Sequence, residues 1–279
     1  MSILDHTFIH IHGFKAAQRE RELWAQGVMT HDDLLGAGPF PAAKNLPAWV
    51  TETKRAIAKK DHDFFATHLP EDQHYRVAMA YPSDTAFVDI ETTGLSRHAD
   101  DITVIGWSLA GKFKAIVHGR DDPGEFTRDL ASSRAMVTFN GKSFDVPFLS
   151  KAFRALHFPK AHVDLRYLCK NVGLVGGQKS IEAQLGLSRQ EGKGDGYMAV
   201  QLWHEYRNRR LTRSRRIEAL KALILYNFAD VNAMKLIFDA CLDKLSASGH
   251  LPARYPNHFG PLAGRPDFRE AFPCPLEPF

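Results

Sequence analysis

The fold of this chain is decided by the stretch Val88-Asp89-Ile90-Glu91-Thr92-Thr93-Gly94-Leu95. Because alternate residues of a β-strand share a face, Asp89 and Glu91 project their carboxylates together while Val88 and Ile90 point into the core. Two like charges at one place repel unless a cation neutralises them, and hard oxygen ligands favour Mg²⁺ or Mn²⁺ over Zn²⁺. An isolated Asp-x-Glu is also explained as a solvated strand end before a turn, so the neighbouring elements have to distinguish the two interpretations.

The elements around this stretch alternate between strands and helices. Residues 85–90, 102–109 and 113–118 have the pattern of an antiparallel meander, with Ala110-Gly111 as the tight turn between the second and third strands. Beyond them the pattern predicts strands at 135–139 and from Val163, and helices at 125–130, 144–157, 180–185, 197–206 and 215–245. The sequence therefore predicts an α/β fold for this part of the chain.

Later segments add carboxylates to the first pair. Asn140-Gly141-Lys142-Ser143-Phe144-Asp145 follows a predicted strand, which places Asp145 in the first turn of a helix, where the helix dipole stabilises an anion. On the long helix, Tyr226 and Asp230 are four residues apart and share a face. Alone, Asp145 is also explained as a helix N-terminal residue and Tyr226 with Asp230 as a surface pair. Asp164, after the fifth strand, either supports such a site or caps a helix.

In this order and on these elements, the four acids and the tyrosine resemble the ribonuclease H-like 3′-5′ exonucleases that carry four acidic ligands plus a tyrosine. The likeness is closest to the YprB-like branch, and extends over residues 85–245. The motifs that carry it are Asp89-Ile90-Glu91-Thr92-Thr93-Gly94-Leu95, Val137-Thr138-Phe139-Asn140-Gly141-Lys142, His162-Val163-Asp164-Leu165-Arg166 and Tyr226-Asn227-Phe228-Ala229-Asp230. The resemblance implies a ribonuclease H-like mixed sheet, three antiparallel strands then parallel ones, flanked by helices.

The resemblance also implies roles for the five residues. Asp89, Glu91 and Asp230 would hold one divalent cation, and Asp89 and Asp145 a second, so the expected cofactors are two Mg²⁺ or Mn²⁺ ions. Tyr226 would orient the attacking water. A second subclass of the family has a histidine five residues before the last acid, where this chain has Leu225. The tyrosine four residues before that acid therefore indicates the tyrosine subclass.

Candidate nucleic-acid contacts flank these acids. Six arginines lie between residues 207 and 216, ahead of the helix that carries Asp230, and such a basic cluster suits an enzyme that holds a polyanion. For the arginine cluster, the alternative is a solvated connector. Asn140 is also explained as a turn residue and Lys142 as a solvated loop lysine, and the segment of Lys179 is also explained as a capped helix start. The predicted contacts are Thr92, Thr93, Gly94, Leu95, Asn140, Lys142, Lys179, Arg209, Arg210 and Arg213.

Composition excludes several other classes. The chain has 279 residues, 44% of them hydrophobic, and a formal charge of +4, which is an ordinary globular balance that permits a polyanionic partner. Its three cysteines form no C-x-x-C pair, so neither a disulfide framework nor a thiolate zinc site is expected. Neither a signal peptide nor a membrane span is predicted. We therefore expect a cytoplasmic protein without a membrane partner.

Three regions are predicted. Residues 1–75 form an N-terminal helical region with a strand-like run at 8–11 and an exposed helix at 48–69; it resembles a degenerate helix-hairpin-helix, because Lys15 stands where that module has its second glycine. A linker at 70–82 leads to the ribonuclease H-like domain at 85–246, and residues 247–279 form a Pro-rich irregular tail. The N-terminal region or the tail would dock a protein partner.

The function that follows is a two-metal-ion 3′-5′ exonuclease acting on the 3′ end of single-stranded DNA or RNA. Two alternatives stay open: a ribonuclease H-type endonuclease using the same chemistry, and a catalytically silent nucleic-acid-binding or adaptor module. The sequence does not distinguish DNA from RNA.

Overall fold

The computed structural model describes residues 2–14, 16–188, 196–252, 259–264 and 266. Within them, one five-stranded sheet has the order β3-β2-β1-β4-β5. The strands are β1 (Thr85–Thr92), β2 (Ile102–Leu109), β3 (Lys112–Val117), β4 (Ala135–Thr138) and β5 (Ala161–Asp164). β1, β2 and β3 pair antiparallel, and β4 and β5 run parallel to β1. The predicted mixed sheet is confirmed.

The turn between β2 and β3 is the predicted one. Ala110 and Gly111 both have positive φ angles, 50° and 75°, which a two-residue hairpin turn requires. Leu109 and Lys112 pair directly across the turn. The register of the meander therefore follows from local turn chemistry.

Five α-helices precede the sheet in the described residues. They are α1 (Ala17–Ala25), α2 (His31–Gly36), α3 (Leu46–Lys59), α4 (His62–His68) and α5 (Tyr75–Ala80). The predicted helix at 48–69 is divided because Lys60 has a φ of 53°, and Asp61 then caps α4 by accepting the Phe64 N–H. Gly13, with a φ of 101°, packs against the backbone of Ala42, while Lys15 lies outside the described residues.

The run at 8–11 is a turn and not a strand. The N–H groups of Phe8 and Ile9 donate to the buried carboxylate of Glu20, at 2.6 and 3.1 Å. The Glu20 side chain thus accepts the backbone hydrogen bonds that a strand would donate to a neighbouring strand. The alternation of apolar residues at 8–11 does not show this contact.

The predicted linker at 70–82 is also wrong. It contains α5, whose Val77 and Ala78 are fully buried in the same core as Phe87 of the sheet. Arg76 of α5 is buried because it pairs with Glu20, so an apparently polar segment packs under the sheet. The division of the chain at residues 75, 85 and 246 stays a prediction.

Six helices follow within the described part of the chain. They are α6 (Gly124–Ser132), α7 (Asp145–Ala152), α8 (Leu165–Asn171), α9 (Gln178–Gln184), α10 (Gly196–Arg207) and α11 (Arg213–Ala247). α7 is shorter than predicted because Phe153 leaves helical geometry and packs its ring against Phe126 and His118. Within the described part of the chain, no helix combines the length and the hydropathy that a membrane span requires.

Two layers of helices cover the sheet. Ala86, Val88 and Ile90 of β1 pack with α6 and α7, whereas Phe87 packs on the opposite face with α5, α8 and α11. Asp89 and Glu91 share the face of Phe87, because alternate strand residues point the same way. The acids of β1 therefore face α11.

Part of the predicted tail is fixed on α11. The ring of Phe259 packs edge-to-face against Phe87 and Phe238, and the N–H groups of Phe259 and Gly260 both donate to Asp239 at 2.8 Å. The remaining tail aromatics, Tyr255, Phe268, Phe272 and Phe279, lie outside the described residues, as do residues 189–195.

Candidate active site

Three carboxylates meet where β1 and α11 cross. Asp89, Glu91 and Asp230 each offer an oxygen, and these oxygens lie within 4.8 Å of one another. Glu91 is buried, with 7% of its surface exposed, while the other two acids are half-buried. The strand supplies two acids by its alternation and the helix supplies the third across the interface, so three carboxyl groups are concentrated on one face of the central strand of the sheet.

Asp145 lies beside this group. It is the first residue of α7, it is buried, and its carboxylate accepts hydrogen bonds from its own N–H and from the N–H of Ile90. Burial, and then the charges of Asp164 and Asp230, raise the pKa of Asp145 to about 7. The side chain is thus held beside β1.

The loop before α7 aims Asp145 at the strand. Asn140 has a φ of 62°, and a Cβ atom on Gly141 would meet the Oγ1 atom of Thr138 at 2.2 Å. Asp164 accepts the N–H groups of Asn140 and Lys142 and also caps α8 through the N–H of Arg166. The structure therefore gives Asp164 the helix-capping role, together with the support of this loop.

The chemistry of the cluster suits a hard divalent cation. Burial raises the pKa of Glu91 well above its usual value, and the charges of Asp230 and Asp145 add to this shift, while Asn227 and Lys179 oppose it. Carboxylate oxygens are the ligands that Mg²⁺ and Mn²⁺ prefer, and a cation removes the repulsion that this grouping creates. The residues present fit such an ion.

α9 brings two polar side chains to the same place. The ammonium of Lys179 donates to the hydroxyl of Tyr226 at 2.5 Å and lies 4.4 Å from the centre of the tyrosine ring. Gln178 donates to the backbone oxygen of Asp230 at 2.9 Å and to its carboxylate at 3.3 Å. Lys179, a predicted contact, is therefore at the site, and Gln178 is a site residue that no sequence pattern indicated.

The loop after β1 uses most of its polar groups internally. The hydroxyl of Thr92 donates to the Gly94 oxygen, and that of Thr93 donates to Asp100. Gly94 lies so close to Asp100 that a Cβ atom would meet the carboxylate at 2.6 Å. Leu95, by contrast, is 88% exposed. Among these four predicted contacts, Leu95 is the side chain that the loop presents to solvent.

Two other predicted contacts have partners away from the acids. The side-chain oxygen of Asn140 accepts a hydrogen bond from the Arg166 guanidinium at 2.7 Å, which agrees with the interpretation of Asn140 as a turn residue. The Lys142 ammonium pairs with Glu71 at 2.5 Å and lines a cavity that also contains His162 and Tyr167. This cavity lies at the end of β5, and its lining includes none of the four acids.

The arginine cluster is distant from the acids along α11. Arg209, Arg210 and Arg213 are exposed at the turn between α10 and α11. Asp230 follows Arg213 by seventeen residues of helix, or about 25 Å at 1.5 Å per residue. The other arginines include Arg216, which is buried and donates to the Tyr206 oxygen. The structure does not bring the cluster to the carboxylates.

His162 provides a prediction on acid sensitivity. Burial and the charge of Lys142 lower the pKa of His162 to about 4, against about 6.5 in an unfolded chain. The unfolded chain therefore binds the proton first, and stability is lost as the pH falls through 6.5 towards 4. Between pH 7.5 and 5 this group is expected to remove about 1–2 kcal/mol of unfolding free energy.

Urea unfolding of the protein and of His162→Gln at both pH values measures this effect. Titrating groups that do not interact with His162 cancel in the difference, so the variant should lose about 1–2 kcal/mol less than the parent protein. His98→Gln, at an exposed position, is the matched control. Equal losses in the parent and His162→Gln would contradict the prediction.

Comparison with known proteins agrees with the fold. The model of the RNase H superfamily matches residues 86–242, more than half of the chain. The chain therefore belongs to the RNase H superfamily. No curated protein matches it.

Several solved structures are similar at low identity. NrnC of Brucella melitensis bound to pGG is 18% identical, with 61% of this chain and 77% of that chain covered and a TM-score of 0.42. The EXO domain of Aedes aegypti Nibbler is 16% identical, with 65% and 88% covered and a TM-score of 0.38. The family B DNA polymerase of Pyrobaculum calidifontis is 17% identical, with 60% and 26% covered and a TM-score of 0.43.

Proposed function

We propose that this protein is a metal-dependent 3′-5′ exonuclease of the tyrosine type, acting on single-stranded DNA or RNA. The observation that supports it most directly is the meeting of Asp89, Glu91 and Asp230 within 4.8 Å, with Asp145 held beside them by Ile90. The chain belongs to the RNase H superfamily. The four acids and Tyr226 lie on the same strand and helices that the sequence analysis used when it assigned their roles.

In this proposal the four acids hold two divalent cations. Asp89, Glu91 and Asp230 bind one, and Asp89 and Asp145 bind the other. Bound there, the ions would supply charge neutralisation and Lewis-acid polarisation of the scissile phosphodiester. The chain holds the acids in place before any cation arrives, since β1, α7 and α11 are fixed by the core.

The side chains around the acids position the other reactants. Tyr226, held by Lys179, orients the attacking water beside Glu91. The Lys179 ammonium, near both Tyr226 and Glu91, contributes positive charge where a phosphate group would lie. Leu95 supplies an exposed apolar surface on which the terminal base packs. The exposed arginines would contact the strand only several nucleotides from the reacting bond.

Digestion of 3′- and 5′-labelled single-stranded DNA and RNA with Mn²⁺, Mg²⁺ or EDTA tests the proposal. We expect metal-dependent release of mononucleotides from the 3′ end, lost in Asp89→Asn and retained in Asp32→Asn, an exposed aspartate paired with Lys54. Internal fragments would indicate an endonuclease instead. Binding without cleavage under every condition would overturn the proposal in favour of an adaptor.

A further inference from the structure

Asn227 lies directly behind the carboxylates of β1. Its side chain is fully buried, and its amide nitrogen donates to the Asp89 carboxylate at 2.8 Å and to the Asp89 backbone oxygen at 3.2 Å. The same nitrogen lies 3.4 Å from an oxygen of Glu91. One neutral donor thus bridges two acids that would otherwise repel each other.

Gly106 provides the space for this amide. It pairs directly with Asp89 across β1 and β2, and a Cβ atom there would lie 1.6 Å from the Asn227 oxygen and 3.1 Å from the ring of Phe113. Since real Cβ contacts are never that short, any larger residue at position 106 displaces Asn227 or the strand. Glycine is required here by close approach and not by an unusual φ angle.

The arrangement has a cost to stability. Among the described residues, the side-chain oxygen of Asn227 is buried without a hydrogen-bond partner, which is unfavourable because the group loses its hydrogen bonds to water on folding. An apolar residue of the same size would avoid this cost. The favourable contribution of Asn227 is therefore its contact with the two acids and not its packing.

We infer that Asn227 is a positioning residue that holds Asp89 and Glu91 in one orientation for the cation, in a space that Gly106 keeps open. The inference rests on the proposed function. The amide contacts one oxygen of each carboxylate. Because the amide is neutral, it limits the repulsion between the acids without adding a positive charge that would compete with the cation.

Titration of Mn²⁺ binding, followed by the electron paramagnetic resonance of free Mn²⁺, tests the role of the amide. Asn227→Leu keeps the branching and the number of side-chain heavy atoms and removes all three donated hydrogen bonds. We expect Mn²⁺ affinity about 10- to 100-fold weaker, while the Tm in EDTA is unchanged or higher. A purely structural role would instead lower the Tm and leave the affinity unchanged. Asn232→Leu is the matched control on the same helix, since Asn232 binds the Leu262 N–H and not the acids.

The outcomes separate this inference from the proposed function. If the parent protein binds Mn²⁺, Asp89→Asn abolishes binding and Asn227→Leu binds within twofold of the parent, the inference is overturned while the metal site stands. If the parent shows no Mn²⁺ binding that depends on Asp89, both are overturned.

A double-mutant cycle tests the part of Gly106. Gly106→Ala alone should lower the Tm and weaken Mn²⁺ binding, because the methyl group displaces the amide. In the Asn227→Ala background the vacated space accepts the methyl group, so the same change should have a much smaller effect on both quantities. Should Gly106→Ala fail to fold, recovery of folded protein in the double variant is the expected result. Additive effects, or a double variant that also fails to fold, would overturn the coupling.

Discussion

Glu91→Gln is expected to abolish metal-dependent nuclease activity while making the metal-free protein more stable. Glu91 is a buried acid beside two others, so its charge is unfavourable until a cation binds. Loss of a ligand that supplies about 4 kcal/mol of transition-state stabilisation lowers the rate about 1,000-fold. Removal of the buried charge should raise the Tm in EDTA by roughly 3–6 °C, equivalent to about 1–2 kcal/mol.

Two measurements on one preparation check this prediction: single-turnover cleavage with Mn²⁺, and thermal unfolding in EDTA. Glu52→Gln, at an exposed glutamate paired with Arg55, should change neither quantity. Because the variant is expected to gain stability, its loss of activity does not reflect unfolding. Activity within tenfold of the parent would mean that Glu91 is not a ligand, and a lowered Tm would mean that its charge is already compensated in the metal-free protein.

The largest effect on stability is expected from Glu20→Ala. The Glu20 carboxylate receives both terminal nitrogens of Arg76, at 3.0 and 2.6 Å, and the N–H groups of Phe8 and Ile9. Neither charged side chain is exposed by more than 2%. Removing one partner leaves the other charge buried and uncompensated, which costs about 3–5 kcal/mol.

Urea unfolding measures this cost. Glu22→Ala, two residues further along α1, removes an exposed pair with Arg19 and should cost less than about 0.5 kcal/mol. The double variant Glu20→Leu with Arg76→Met should lose much less than Glu20→Ala alone, because no charge is left unpaired. A loss below about 1 kcal/mol for Glu20→Ala would contradict the prediction.

The N-terminal region shows why some elements could not be predicted. Tyr75-Arg76-Val77-Ala78-Met79-Ala80 lies between two prolines and contains a charge, which is typical of a linker. Its burial depends on Glu20, a residue far away in sequence, which neutralises Arg76 and at the same time binds the turn at Phe8. Neither contact has a local pattern.

The candidate site shows the same difference. Asp89, Glu91, Asp145, Tyr226 and Asp230 are predicted as a set. The structure brings oxygens of Asp89, Glu91 and Asp230 within 4.8 Å of one another, with Asp145 beside Ile90 and Tyr226 bound to Lys179. Asn227 lies inside one of the predicted motifs, yet its contact with Asp89 depends on Gly106 of a different strand. The arginines are near Asp230 in the sequence but about 25 Å away along a straight helix.

The sequence by itself determined the succession of the strands along the chain, the hairpin at Ala110-Gly111 and the acids that share one face of β1. Those features follow from residue alternation, turn chemistry and spacing along a single element, which are local properties of the chain. Only the tertiary structure decided that α5 is buried, that Lys179 reaches Tyr226, and that Asn227 bridges two carboxylates. Each of these contacts joins elements whose distance depends on the packing of the whole core, so no local pattern encodes it.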